Sequence, residues 1–444
     1  MKIFTSSGSE DDSTNKAKEL KGIKVVFRSL RYRNFRLFFG GQSISLIGTW
    51  IQQTAMPWLI YDITHSIFLL GVIAFTGQIP ALLLSSVAGV ITDRKNRYHL
   101  LIATQVLAMV QALLLAAILL FGHVQVWHIV LLSIFLGCIN SFDVPARQSF
   151  MIEMVEDKSD LSNAIALNST MFNGARLIGP SIAGVLIATV GEGPCFLING
   201  LSYIVVITSL LSMKIIPRKI EKRAEVSFAK EFKEGFSYTF GFTPIKFIIL
   251  LLALVSLAGL PFTVLMPVYA KEILHGDSHT FGFLMSAVGF GAMMGAIYLA
   301  SRRSVPGLEH LIPVAVALFG VGLIAVSISR IFIVSLLLMM ITGIWMMMEL
   351  ASSNTILQTI VDDNKRGRVM SFHTMAFMGT APFGSLIAGS LASLTSVPVT
   401  LAIGGASCIV GALIFAYNLP HFDSKIREAY EKIGIIKKSG IRER

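Results

Sequence analysis

Ionisable side chains are scarce inside the apolar stretches of this 444-residue chain, so the few that occur there mark where chemistry could take place. Three stand well inside: Asp143, Arg176 and Glu349. Inserting such a residue into a membrane-spanning helix costs about 2.5–3.5 kcal/mol, which makes each a functional candidate by default. Glu349 is the first choice for a carboxylate that takes up a proton in one state and releases it in another, and Asp143 is the second. A competing reading makes Glu349 a fixed gate carboxylate, the counterpart of Asp143, paired with Arg302 or Arg303. Arg176 could neutralise an acidic small molecule such as a catecholate, or pair with a carboxylate to lock two helices. Enzyme chemistry finds no support. No His-Glu-x-x-His occurs, Asp362-Asp363 has no second acidic cluster, and Cys138, Cys195 and Cys408 are far apart without metal-ligand spacing. No metal or other cofactor is therefore expected.

The elements that must position these groups are membrane helices. Apolar residues make up 54% of the chain and charged residues 14%, against about 45–50% and 25% in soluble domains. The net charge of +11 does not indicate nucleic-acid binding, because the basic residues fall between apolar runs rather than along a face. Runs long enough to cross a hydrocarbon layer of ~30 Å as helices fall near 36–61, 68–91, 98–121, 127–147, 162–190, 195–213, 245–270, 280–300, 308–328, 331–360, 368–394 and 397–418. With a cytoplasmic N-terminus, all but three of the 37 Lys and Arg lie on the cytoplasmic side or in its tails. The exceptions are Lys271 and Arg330 outside and Arg176 within a span, so both termini are expected in the cytoplasm. The expected fold is an all-α polytopic membrane protein of twelve transmembrane helices. It divides into a basic arm (1–35), a six-helix half (36–213), a basic linker (214–244), a second six-helix half (245–418) and a basic tail (419–444). In the linker, Phe228, Phe232 and Phe236 recur every four residues beside Lys230, Lys233 and Glu234, which suits a helix in the headgroup layer. Ile426, Tyr430 and Ile433 in the tail read the same way.

The halves repeat each other. Residues 143–157 align without a gap to 349–363, an offset of 206 that also pairs Gly137 with Gly343 and places Asp143 opposite Glu349. One residue of slippage later, Gly179-Pro-Ser-Ile-Ala-Gly184 matches Gly384-Ser-Leu-Ile-Ala-Gly389. A parallel repeat of two six-span halves puts a substrate site where they meet, near the membrane midplane.

With that repeat in place, the chain resembles the major facilitator superfamily. Gly89-Val-Ile-Thr-Asp93-Arg94-Lys-Asn96-Arg97 is similar to its gate motif between spans two and three, with Asn96 where glycine is usual. The resemblance implies a cytoplasmic gate of Gly89, Asp93, Arg94, Arg97, Asp143 and Arg147. Asp93 would sit at the N-terminal end of span eleven and Arg94 would pair with Asp143, while Asn96 is expected to take a left-handed turn conformation. Arg176, Gly179, Pro180 and Gly184 on span five resemble the Gly-Pro-x-x-Gly-Gly signature of antiporters, with Ala183 in place of one glycine. Asn34-Phe-Arg-Leu-Phe-Phe-Gly-Gly-Gln42, Gly48-Thr-Trp-Ile-Gln-Gln-Thr, Trp58-Leu-Ile-Tyr-Asp62 and Asp143-Val-Pro-Ala-Arg147-Gln148 are similar to the branch of enterobactin-type siderophore exporters, macrolide-efflux proteins and transmembrane secretion effectors. Trp127 to Phe142 lacks the span-four arginine of many proton-coupled drug exporters.

The superfamily plan implies a cavity lined from Gln42, Trp50, Gln52, Gln53, Gln78, Asn140, Asn168, Asn173, Trp345 and Asn354. The resemblance implies a monomeric exporter of a small molecule, a siderophore or drug-like compound, in a bacterial inner membrane, exchanging cargo for protons by alternating access. An uptake symporter and a lipid flippase are the rivals within transport. A membrane receptor or embedded enzyme is the rival outside it.

Overall fold

The computed structural model describes residues 27–214, 228–302 and 304–436. The basic arm up to residue 26, linker residues 215–227, Arg303 and residues 437–444 lie outside it. Nearly every described residue is helical, which follows from the solvent: a backbone in hydrocarbon must satisfy its own N–H and C=O groups. In chain order the helices are α1 (Arg33–Thr64), α2 (Ile67–Arg94), α3 (Arg97–Phe121), α4 (Val126–Glu153), α5 (Leu161–Val190) and α6 (Gly193–Leu211). The linker helix α7 (Phe228–Gly241) follows, then α8 (Thr243–Ile273), α9 (Ser278–Ser301), α10 (Leu308–Ile328) and α11 (Phe332–Ile360). α12 is built of Asp363–Met378 and Ala381–Leu394, and α13 runs over Val397–Ile433.

Eleven of these helices are long and apolar enough to cross a membrane by length and composition. The sequence reading expects twelve, and the one left out is α1, whose glutamines and glycines lower its hydropathy. It still has 32 residues, roughly 48 Å of helix. It runs antiparallel to α6 through the same layer, with Gly41 against Ser209 and Gly48 against Ser202 and Asn199.

α1 to α6 pack among themselves, and α8 to α13 do likewise. Between the groups the main contacts are α5 with α9 and α2 with α12. Both contacts are built on glycine. A Cβ on Gly282 would lie 2.5 Å from the Pro180 carbonyl and 2.9 Å from Gly184 Cα. A Cβ on Gly71 would lie 2.6 Å from the Ser385 carbonyl and 3.1 Å from Gly389 Cα. Pro180 and Gly184 are the repeat partners of Ser385 and Gly389, so one backbone-to-backbone contact occurs twice, once on each side of the pseudo-two-fold axis. Small residues permit such close approach where apolar lipid supplies little drive for helices to associate.

The apolar core shows which end is closed. One buried cluster joins Ile51, Trp58 and Ile187 of the first half to Tyr269, Phe281 and Ala388 of the second. Phe35, Ile139, Phe150, Tyr203 and Leu210 form a separate cluster inside the first half, at the end where the described chain begins. The halves thus share a core at the end away from the termini and part at the other.

Two surface helices make contacts that the sequence did not indicate. α7 exists, but Phe236 and Phe240 pack on Phe372 of α12, and Glu234 pairs with Arg368 at 2.8 Å. It is seated on the second half. The side chains of Phe228 and Phe232 lie outside the description. The tail continues α13, and Ile426 and Tyr430 are buried, the latter's hydroxyl reaching Glu309 at 3.3 Å. Ile426 and Tyr430 thus face protein, whereas Ile433 is exposed.

Candidate functional site

The closed end is held by groups that the sequence did not single out. α1 ends beside the last turn of α8. There Lys271 Nζ donates to Asp62 at 2.7 Å, and the Tyr61 hydroxyl donates to Glu272. The Lys271 ammonium also lies 5.8 Å from the Trp58 ring and 5.9 Å from that of Tyr61. Lys271 and Glu272 occupy a π-helical segment, Tyr269–Ile273, a wider turn that often marks functional sites. Tyr269, fully buried, donates from the same turn to the Val326 carbonyl and shares a hydrogen bond with the Ser335 hydroxyl. The available sequence signal was Lys271 itself, one of two basic residues expected on the far side.

The span-five signature lies on the interface between halves. Ser278 Oγ donates to the Gly184 carbonyl at 3.0 Å, and Ser181 and Ser286 hydroxyls meet at 2.7 Å. Pro180 has no N–H, so the Arg176 carbonyl loses its intrahelical donor, and Gly289 of α9 packs against it. Gly179 lies directly against Trp50 of α1. The Arg176 guanidinium sits over the Trp50 ring at 5.7 Å, and Phe172 meets Trp50 edge-on at 5.8 Å.

The two carboxylates lie at equivalent places inside their halves, not between them. Asp143 accepts from Thr104 at 2.9 Å and Gln105 at 2.6 Å on α3, and pairs with Arg147 at 3.4 Å. Its ion pair is therefore with the arginine one turn along its own helix, where Arg94 had been expected. Glu349 is 1% exposed, with Ser353 as hydroxyl partner at 3.2 Å, and Oε2 without one. Arg302 does not reach it; its donors go to the carbonyls of Ser304 and Pro306.

At the gate motif, Asn96 is extended (φ −68°, ψ 112°) rather than left-handed. It caps α3, accepting from the Tyr98 and His99 amides. Arg97 pairs with Glu153 at 2.6 Å, joining α3 to α4. Gly89 faces open space, as expected where the halves are apart. Arg94 is exposed, and the side chain of Asp93 lies outside the description.

The proposed cavity residues divide. Gln52 is buried inside the first half, accepting from Asn199 at 2.7 Å and donating to Gln111 at 3.1 Å. Gln42 is buried there too. The Gln52 amide serves packing, because it bridges α6 and α3, whereas Gln42 Oε1 is buried without a hydrogen-bond partner among the described residues. Gln53, Gln78 and Asn140 are exposed, and Trp50, Asn168, Asn173, Trp345 and Asn354 are half-buried. Asn173 donates to the Ser169 carbonyl, and Gln358 to Asn354.

Two six-helix groups related by a repeat, sharing a core at one end and separating at the other, define a major facilitator transporter rather than an enzyme. The chain belongs to the transmembrane secretion effector family, whose model matches residues 25–434. It is 25% identical over 403 residues to the staphyloferrin A transporter of Staphylococcus aureus, covering 89% of this chain and 98% of that one. It is 24% identical over 394 residues to the enterobactin exporter EntS of Escherichia coli, covering 87% and 93%. The multidrug efflux pump Tap of Mycolicibacterium fortuitum is 22% identical over 387 residues, covering 85% and 94%. Among solved structures, a POT family transporter in complex with 5-aminolevulinic acid superposes with a TM-score of 0.69 at 13% identity, covering 89% of this chain and 96% of that one. A bacterial homologue of the lysosomal transporter Spinster, inward-facing and unoccupied, gives 0.65 at 13%, covering 90% and 98%. These likenesses show the shared fold.

Proposed function

We propose that this protein exports a small organic molecule across a bacterial inner membrane in exchange for protons, with both termini in the cytoplasm. The observation that carries the reading is the core shared at one end only, from which we read a cavity sealed on the far side and open toward the linker. With the termini cytoplasmic, this is the cargo-loading state of an exporter. The reading is further supported by named relatives that move siderophores or drugs, and by the signature Gly179-Pro180-Ser-Ile-Ala-Gly184 on the sealing interface.

Rocking of the halves breaks the Gly282–Gly184 and Gly71–Gly389 contacts together with the Asp62–Lys271 pair, and brings the gate-motif ends into contact. Glu349 is the proton carrier in this scheme, since among the described residues no cation pairs with it and hydration of the second half would change its charge cost. Asp143, already matched by two donors and an arginine, is the structural member of the repeat pair.

The test is flux in proteoliposomes under an imposed pH gradient, with siderophores and antibiotics screened as cargo. Cargo should move against the proton flow. Glu349→Gln should abolish gradient-driven flux while retaining cargo binding. Cargo moving with protons would establish a symporter, and undiminished flux in Glu349→Gln would remove the carrier role.

A further inference from the structure

The charge of Arg176 has no counter-charge among the described residues. Among the described residues no carboxylate lies within ion-pair distance of its guanidinium. The two other ionisable groups deep in the spans are committed elsewhere, Asp143 to Arg147 and Glu349 to the interior of the second half. A locking role for Arg176 would need an acidic partner, and the described residues supply none. What surrounds the guanidinium is aromatic: the Trp50 ring at 5.7 Å, itself backed by Phe172. Indole faces hold a cation without neutralising it. The half-buried group also marks the point where the halves diverge. Above it, toward the closed end, α5 and α9 touch backbone to backbone at Gly289, Gly282 and Gly184. One turn below, Gly174 faces open space and Phe172 is exposed. Arg176 therefore stands where the two halves part, at the apex of the proposed cavity, where an uncompensated charge is costly.

We infer that the cargo is an anion with a planar aromatic face, of the aromatic carboxylate class, its charge docking on the Arg176 guanidinium and its ring lying along Trp50 and Phe172. The inference rests on the exporter reading and names the substrate class of that same cavity. Arginine suits the task because its planar fork offers paired donors to an oxyanion while its faces stack on rings. The unpaired cation also gives selectivity by exclusion, since a cationic drug entering this apex meets a like charge at low dielectric.

The test is calorimetric binding to the purified full-length protein, with 2,3-dihydroxybenzoate, its uncharged methyl ester and tetraphenylphosphonium as probes. The anion should bind at least about tenfold more tightly than the ester, and tetraphenylphosphonium least. Arg176→Gln should remove the preference for anion over ester. Arg176→Lys should keep part of it, since the charge stays and the fork is lost. Trp50→Ala should weaken anion and ester alike. Thermal unfolding of each variant separates lost binding from lost fold, and Arg176→Lys carries the test if Arg176→Gln does not fold. No measurable anion binding, equal binding of anion and ester, an unchanged preference in Arg176→Gln, or preferred binding of tetraphenylphosphonium would each overturn the inference. Flux distinguishes it from the reading beneath: anion bound through Arg176 but never moved defeats the exporter and leaves the site, whereas a transported cation with no anion bound does the reverse.

Discussion

Replacing Gly282 by alanine places a Cβ 2.5 Å from the Pro180 carbonyl oxygen and 2.9 Å from Gly184 Cα. Both obstacles are backbone, and neither can rotate away. Ordinary contact requires the α5–α9 pair to part by roughly 1 Å, which forfeits a quarter to a half of each dispersion contact along the seam. Overpacking of this kind costs about 1–3 kcal/mol. That cost falls only on the sealed conformation, because the contact does not exist once the halves have rocked apart. The ratio of sealed to open far end should thus fall about 5- to 150-fold. Gly71→Ala should act alike through the repeat-related seam, where its Cβ meets the Ser385 carbonyl at 2.6 Å. Gly174→Ala is the control: it lies on α5, shares the gain in helix propensity, and its Cβ meets nothing within 4 Å. The assay is pulsed electron–electron distance measurement between spin labels at Ile63 and Leu394. Both positions are exposed near the far end, one in each half, and the three native cysteines are replaced for the measurement. Gly282→Ala and Gly71→Ala should shift the distribution to longer distances, and Gly174→Ala should not. If all three behave as the parent, the glycine seams do not set the sealed state and the reasoning fails.

Further outcomes follow from the buried polar groups. Asp143→Ala strips an acceptor from Thr104 and Gln105 and leaves Arg147 unpaired, so thermal stability in detergent should fall by about 3–5 kcal/mol. A loss within error would show that the pair is idle. Gln52→Ala should cost about 1–3 kcal/mol, with Asn199 and Gln111 losing a partner, and leave the order of preferred cargoes unchanged. A reordered cargo preference would return Gln52 to the cavity. Glu192, in the turn between α5 and α6, has its carboxyl held above the ordinary range, first by burial and then by Asp62, with Lys271 opposing. The sealed form therefore binds that proton more tightly than a hydrated form. Its population should rise as pH falls through the raised value and level off below the ordinary glutamate value of about 4.3. Glu192→Gln should flatten this profile in the same distance assay, and an unchanged slope would discard the assignment.

Much of the architecture was legible in one dimension. A chain that is half apolar and punctuated by basic turns has few solutions in a bilayer, and span-length periodicity reads them out whatever packs where. The repeat was legible as well, since Asp143 against Glu349 and Gly184 against Gly389 are matches of residue type at fixed offset. The structure returned that match as the same backbone contact made twice. The gate motif and the span-five signature were recognisable as words, and Asn96 and Pro180 then took up local duties that follow from their side chains. What the sequence left open was direction. Every polar residue of a span has one helix face, and one chain does not say what that face meets. Gln52 and Trp50 are two residues apart on α1, yet one is buried among amides of its own half and the other lies beside Arg176 on α5. Whether Arg176 meets a carboxylate was not legible in the sequence; among the described residues it meets the Trp50 ring and no acid. The latch of Tyr61 and Asp62 with Glu272 and Lys271 joins residues more than 200 positions apart. Composition and period settle how many rods form and how deep each residue lies, because those depend on the solvent. The azimuth of each rod and its cross-half partners depend on packing among all of them at once, and only the folded assembly decides that.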